Sequence, residues 1–180
     1  MKKFSIIILV VFVVQLTGCI VFNNVSYEVN INEDGTGTAK LVIEDIKTDA
    51  TTKEAIDEDV KSILEHGLKS QQFVEDMKSE GKKISLREVV VENEKLNAIV
   101  NYEFDDITRV EGMQYEDPYY YLTIPAEDSI ISTNGQVSRT NDYQRIMWDK
   151  SIKTLKFKMY SEDTIREGLT SLAKFYQKED

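Results

Sequence analysis

Cysteine is almost missing from this 180-residue chain: Cys19 is the only one. A lone thiol makes no internal disulfide, so the fold has to stand on its core. Histidine is equally scarce. Every Ser–His or Cys–His mechanism would have to run through His66, and no Gly-x-Ser-x-Gly elbow or second thiol accompanies it. A zinc site would rest on His66 and carboxylates alone. Pro118 and Pro125 are the only prolines, and no repeat or low-complexity linker divides the chain. Basic residues are outnumbered, 22 against 32 acids, for a formal charge of −10. Such a surface is unsuited to neutralising phosphates, which argues against nucleic acid as a partner. Beyond Phe22 nothing is apolar for long enough to span a bilayer, which takes about 20 residues.

The apolar residues that do run together are at the start. Lys2 and Lys3 precede the stretch 4–14, and Leu16-Thr17-Gly18-Cys19 follows it. A charged start, a short apolar core and small residues before a cut point form a secretory signal. Leu-Thr-Gly-Cys has the pattern of the bacterial lipobox, in which the cysteine is lipidated and the signal is cut before it. A membrane-spanning helix is the alternative, but the uninterrupted run 6–14 is too short for one. Cleavage removes Lys2 and Lys3 and no acid, moving the charge from −10 to −12. Residues 20–24 then read as a short tether between lipid and fold.

Further along, apolar and polar residues alternate over 25–44, as in a β-hairpin. A three-residue loop, Glu33-Asp34-Gly35, pairs Val29 with Ala39 and Tyr27 with Leu41 and keeps charge off the apolar face. Thr51 and Glu54 form a capping box for a helix carrying Ile56, Val60, Ile63, Leu64, Val74 and Met77, kinked or divided at Gly67. Gly81 stops it. Residues 84–91 and 96–104 make a second hairpin around Asn93-Glu94-Lys95, with Val90, Ala98, Val100, Tyr102 and Phe104 on one face. Residues 105–117 are acidic and irregular. Strands follow at 119–124, 130–131, 143–148 and 153–160, and Ser161 caps a terminal helix with the stripe Ile165, Leu169, Leu172 and Tyr176.

Candidate chemistry is sparse. Asn30-x-Asn32-x-Asp34-Gly35 starts like a calcium loop, yet position 12, which needs a bidentate Glu, is Leu41. Acid groups such as Asp57/Glu58/Asp59, Asp105/Asp106 and Glu116/Asp117 read as solvated faces; glycosidase chemistry would need two carboxyls set across a cleft. The tyrosines 119–121 carry more information. On a strand, Tyr120, Leu122 and Ile124 share one face, and Tyr119, Tyr121 and Thr123 the other. If the first face is core, the second offers two rings for stacking on sugars, lipid headgroups or a protein partner. Burial of both faces is the competing reading.

Ile124-Pro125, Ser132-Thr133-Asn134-Gly135 and Ile146-Met147-Trp148, with the lipobox and the turn Asp34-Gly35-Thr36-Gly37, resemble the LppM-like domain of bacterial lipoproteins. The outline departs at Ala126, where Gly would follow Pro125. The resemblance implies a lipidated envelope protein with an α+β domain and no catalytic centre to carry over.

Together these readings predict a lipoprotein signal at 1–18, a lipidated Cys19 with a tether at 19–24, and one domain at 25–180. The expected fold is α+β, an antiparallel sheet of hairpins packed by a central helix and a C-terminal helix. The expected function is non-enzymatic: a protein lipid-anchored on the outer face of the cytoplasmic membrane, or in an outer membrane where one exists. It would bind an envelope component or protein partner through Tyr119 and Tyr121, with no cofactor and no metal. The alternative is a carrier holding a lipid, glycolipid or other apolar ligand between sheet and helix, lined by Tyr27, Val29 and Leu64.

Overall fold

The alternating pattern that begins near Cys19 builds a long hairpin. In the computed structural model, which describes residues 19–160 and 167–177, β1 (Ile20–Ile31) and β2 (Gly37–Thr48) pair along their whole length. Tyr27 faces Leu41 and Val29 faces Ala39, as the three-residue loop requires, and Gly35 turns the chain at φ 85°. Residues 20–24, expected as a tether, are the first part of β1, with Ile20 opposite Thr48. Both strands change face beside Asp45 (φ 58°): Val25 and Ile43 pack toward the main core, whereas Phe22 and Ile46 pack toward a second one. The predicted signal, residues 1–18, lies outside the described residues.

Thr52, one residue beyond the expected cap, accepts a hydrogen bond from the Ala55 amide and starts α1 (Lys53–Ser62). The helix loosens into a π-helical segment, Ile63–Leu68, and ends there; Ser70 caps α2 (Gln71–Ser79). Gly81 (φ 79°) terminates the helical region. β3 (Lys82–Glu92) and β4 (Lys95–Phe104) follow, joined by a two-residue turn at Asn93-Glu94 in which both φ angles are positive. That turn sets Val89 opposite Ala98. Val89 therefore takes the core face, and Val90, expected there, lies on the opposite side.

The remaining strands are β5 (Met113–Glu116), β6 (Tyr119–Pro125), β7 (Ser129–Thr133), β8 (Gln136–Arg139), β9 (Tyr143–Asp149), β10 (Thr154–Tyr160) and β11 (Thr170–Ser171). They correct the expected architecture. The strands form two antiparallel sheets: a first in the order β3-β4-β2-β1-β10-β7, with β11 also on β2, and a second in the order β5-β6-β9-β8. The fold is β-rich, with the main core between the sheets, rather than one sheet packed by a central and a C-terminal helix. Tyr27, Val29, Leu41, Tyr102, Phe104, Leu155 and Phe157 meet Met113, Leu122, Ile124, Ile146 and Trp148 in that core. α1 joins the second core, and Met77 of α2 closes the edge of the first.

The C-terminal helix is corrected too. Ser161 and Ile165 lie outside the described residues, and Gly168 (φ 77°) breaks the remaining stripe. Thr170 and Ser171 then pair with Thr48 and Lys47, and Leu172–Lys174 form one 3-10 turn. Leu172 is fully buried in the second core, and the Tyr176 hydroxyl donates to the Val89 carbonyl at 3.0 Å. Leu172 and Tyr176 of the stripe reach the second core without a helix. The other face of the first sheet is wet and laced by cross-strand ion pairs, Lys156–Glu28 at 2.9 Å and Lys158–Glu44 at 2.6 Å.

The chain crosses between the sheets four times, before β5, β7, β8 and β10. β7 belongs to the first sheet and β8 to the second, so Asn134-Gly135 is a crossing; residues 150–153 lead back from β9 to β10. Asn134 fastens the junction. Its Oδ1 accepts from Trp148 Nε1 (2.8 Å) and the Lys156 amide (2.8 Å), and its Nδ2 donates to the Thr154 carbonyl (2.8 Å).

Candidate functional site

Among the described residues, the second sheet has one face in the core and one face that nothing covers. On β6 and β9 the alternation is clean: Leu122, Ile124, Gln144, Ile146 and Trp148 are buried, and their neighbours point away. Tyr119, Tyr121, Thr123, Tyr143, Arg145 and Met147 share the outer face; none of them is buried, and none belongs to either core. Tyr119 is 45 % exposed. The two tyrosines singled out in the sequence therefore lie together on an uncovered surface, while Tyr120 packs against the core.

Arg145 organises this face and was missed in the sequence. It lies directly opposite Thr123, and its Nε donates to the Thr123 hydroxyl at 3.0 Å. Its guanidinium carbon stands 4.8 Å from the Tyr121 ring centre and 5.3 Å from that of Tyr143. Cation–π contact with both rings and one hydrogen bond hold the group in place. The signal was available as the alternation Tyr143, Arg145, Met147 against Gln144, Ile146, Trp148, but a solitary arginine in a strand attracts no notice. At the near edge the Tyr115 hydroxyl and Lys150 both reach Asp117 Oδ1, at 2.7 and 2.5 Å. Lys150 first, then Tyr115, hold this carboxyl below the usual range.

A second polar group lies at the edge of the main core, beside Tyr102. Lys82, 5 % exposed, bonds Glu80 at 3.0 Å and Glu111 at 3.1 Å, with the Tyr102 ring centre 6.0 Å away. The Tyr102 hydroxyl is buried without a hydrogen-bond partner. Burial first, then the Glu111 charge, push the Tyr27 and Tyr102 hydroxyls well above 10.0. Two phenols held protonated offer no base near neutral pH. The cluster ties the end of α2 to the loop before β5.

The other candidates have structural employment or stand apart. Asp34 binds the Thr36 hydroxyl and amide within the hairpin loop, and Asp106 does the same for Thr108. Asp57 pairs with Lys53, and the buried Asp59 accepts from Thr48. His66 is exposed on the π-helical segment. Among the described residues no group of three His, Cys, Asp or Glu side chains is set to hold a metal. Tyr27 and Val29 are packed in the main core and Leu64 against the second, so the three residues expected to line a carrier pocket are not brought together.

Cys19 is exposed, next to Ile20, which packs against the second core. The Cys19 amide donates to Asp49 Oδ1 at 2.6 Å, and its carbonyl accepts from the Asp49 amide at 3.3 Å. An open cleft of about 450 Å³ adjoins it, lined by Asp49, Glu54 and Glu58 among others. No described helix is long and apolar enough to cross a membrane. No family model and no curated protein matches the chain.

Proposed function

We propose that this is a lipid-anchored bacterial envelope protein, non-catalytic, which presents the Tyr119/Tyr121/Arg145 face to an envelope component or protein partner. The lipobox supplies the anchor at Cys19, and the resemblance to LppM-like domains belongs with the same reading. One observation carries the binding role: Tyr119, Tyr121 and Arg145 lie together on an outer sheet face that belongs to neither core. The second sheet packs over the Val25–Ile31 part of β1, and five to eleven strand residues at about 3.3 Å each, roughly 16–36 Å, separate that part from Ile20. A protein anchored at Cys19 would hold this face away from its own bilayer. Residues 20–24 being strand, the separation is built into the fold and does not depend on a floppy leader.

The test uses the full chain produced in a bacterium that processes lipoproteins. Wild type should partition with membranes and carry a lipid mass on Cys19, and Cys19→Ser should lose both. Detergent-solubilised wild type should co-sediment with isolated envelope material, and Tyr119→Ala/Tyr121→Ala should not, with its folded fluorescence unchanged. Equal co-sedimentation of both proteins would refute the binding role of this face.

A further inference from the structure

We infer that the outer face of the second sheet is a subsite for a linear glycan carrying widely spaced carboxylates, with Arg145 as the carboxylate-binding residue. This deepens the reading of that face as a binding surface and rests on it. Arg145 donates Nε to Thr123 and lies against the rings of Tyr121 and Tyr143, yet among the described residues no carboxylate is within ion-pair distance of it. In a chain with 32 acids and 22 basic residues, a guanidinium fixed in place without an acid is set for an external one. Its terminal amino groups remain to grip a carboxylate by two parallel hydrogen bonds, the geometry for which arginine is suited.

Size and charge narrow the occupant. Four strands at about 4.8 Å, the longest of seven residues at about 3.3 Å, give a face no larger than roughly 19 by 23 Å. That is about half of the ~800 Å² that one side of a standard protein–protein interface buries. An extended chain fits it better than a globular partner. Tyr119 and Tyr121 offer ring surface to the C–H faces of pyranoses, and Gln114, Gln136 and Ser138 on the flanking strands offer exposed polar groups for hydroxyls. The formal charge of −10 repels a densely anionic polymer. A glycan with neutral sugars between its acids can set one acid on Arg145 while neutral sugars lie beside Glu116 and Asp149, which flank Tyr119 on the same face.

The probe is a hyaluronan octasaccharide, which alternates glucuronate with N-acetylglucosamine, titrated calorimetrically into the detergent-solubilised full chain. Wild type should bind it, and Arg145→Gln should weaken binding about tenfold or more, as loss of a charged hydrogen-bonded pair implies. The octasaccharide with methyl-esterified carboxyls should bind wild type as weakly as the native sugar binds Arg145→Gln. This arm needs no variant, so it stands even if Arg145→Gln folds poorly. No binding at millimolar sugar, or binding indifferent to esterification, overturns the glycan assignment. The co-sedimentation experiment separates the two levels. Loss of envelope binding in Tyr119→Ala/Tyr121→Ala without hyaluronan binding refutes only the glycan; retention of envelope binding refutes the face as well.

Discussion

Asn134→Ala should be among the most damaging single substitutions at any exposed position of this protein. The alanine keeps the backbone bond from the residue 134 amide to the Lys156 carbonyl (3.1 Å) and removes three side-chain bonds, each of 2.8 Å. Trp148 is fully buried, so its indole N–H would lose the acceptor Asn134 provides. A buried donor left unpaired costs about 1–3 kcal/mol. The Lys156 amide and the Thr154 carbonyl lie near solvent, where water replaces part of the loss, and each adds about 0.5 kcal/mol. The total is about 2–4 kcal/mol. Urea denaturation followed through the fluorescence of the single tryptophan reads the outcome at the affected residue. Asn134→Asp keeps the acceptor for Trp148 and loses only the donor to Thr154, so it should fall between wild type and alanine. A loss below about 1 kcal/mol for Asn134→Ala, or an aspartate worse than the alanine, would show that Asn134 does not hold the crossing as the hydrogen-bond pattern implies.

Gly135→Ala should destabilise by more than about 2 kcal/mol through overpacking, because a Cβ there would come within 2.7 Å of Ile146 and of Trp148 Nε1 and within 2.8 Å of the Met147 carbonyl. Gly35→Ala meets no atom within 4 Å but sits at φ +85°, so its cost, about 1–2 kcal/mol, is purely torsional; thermal melts of the two variants compare contact with conformation. Tyr102→Phe should leave stability unchanged or raise it by up to about 1 kcal/mol, since the hydroxyl it removes is buried and unpaired. Burial raises the folded-state pKa of Tyr102 and Tyr27 above 10.0, so the unfolded chain ionises first, and stability present below pH 10 drains away as pH rises beyond it; Tyr102→Phe should show a shallower alkaline decline in denaturant midpoint. Asp106 titrates low chiefly through the Thr108 hydroxyl, so Thr108→Val should move its carboxyl back toward the ordinary range by NMR. The stability tied to this depressed carboxyl is present above the unfolded value and is lost as pH falls through the folded one.

The hairpins were legible because local rules decide them. Parity along 25–44 selected the three-residue loop, and the charge that a two-residue loop would have placed on the apolar face is why no other register competes. One residue of turn length misassigned Val90: a strand neighbour changes face with each residue, so a small uncertainty in the turn is a complete error in orientation. The partition into two sheets was not legible. β7 and β8 are short, and β8 is exposed at all four residues, so neither carries a strong periodic signal, and only their distant partners β10 and β9 assign them to different sheets. The stripe ending at Tyr176 did mark buried residues, but spacing alone did not reveal that Gly168 would divert the chain. Tyr119 and Tyr121 were found because one face of an amphipathic strand must look outward. Arg145 lies opposite Thr123 on a strand 22 residues away, and a cross-sheet neighbour of that kind has no local trace.

The middle position of β1 in the first sheet sets an order on synthesis. Its two partners are β2, its immediate successor, and β10, whose Thr154 pairs with Asn30. One side of β1 is thus covered as soon as the hairpin closes. The other stays an open row of amides and carbonyls until more than a hundred further residues have left the ribosome or passed a translocation pore. All four crossings between the sheets fall between β4 and β10, so the packing of one sheet on the other cannot be completed early either. A chain of this topology spends most of its emergence with its central strand unprotected, and is the kind of client for which a holding chaperone matters most.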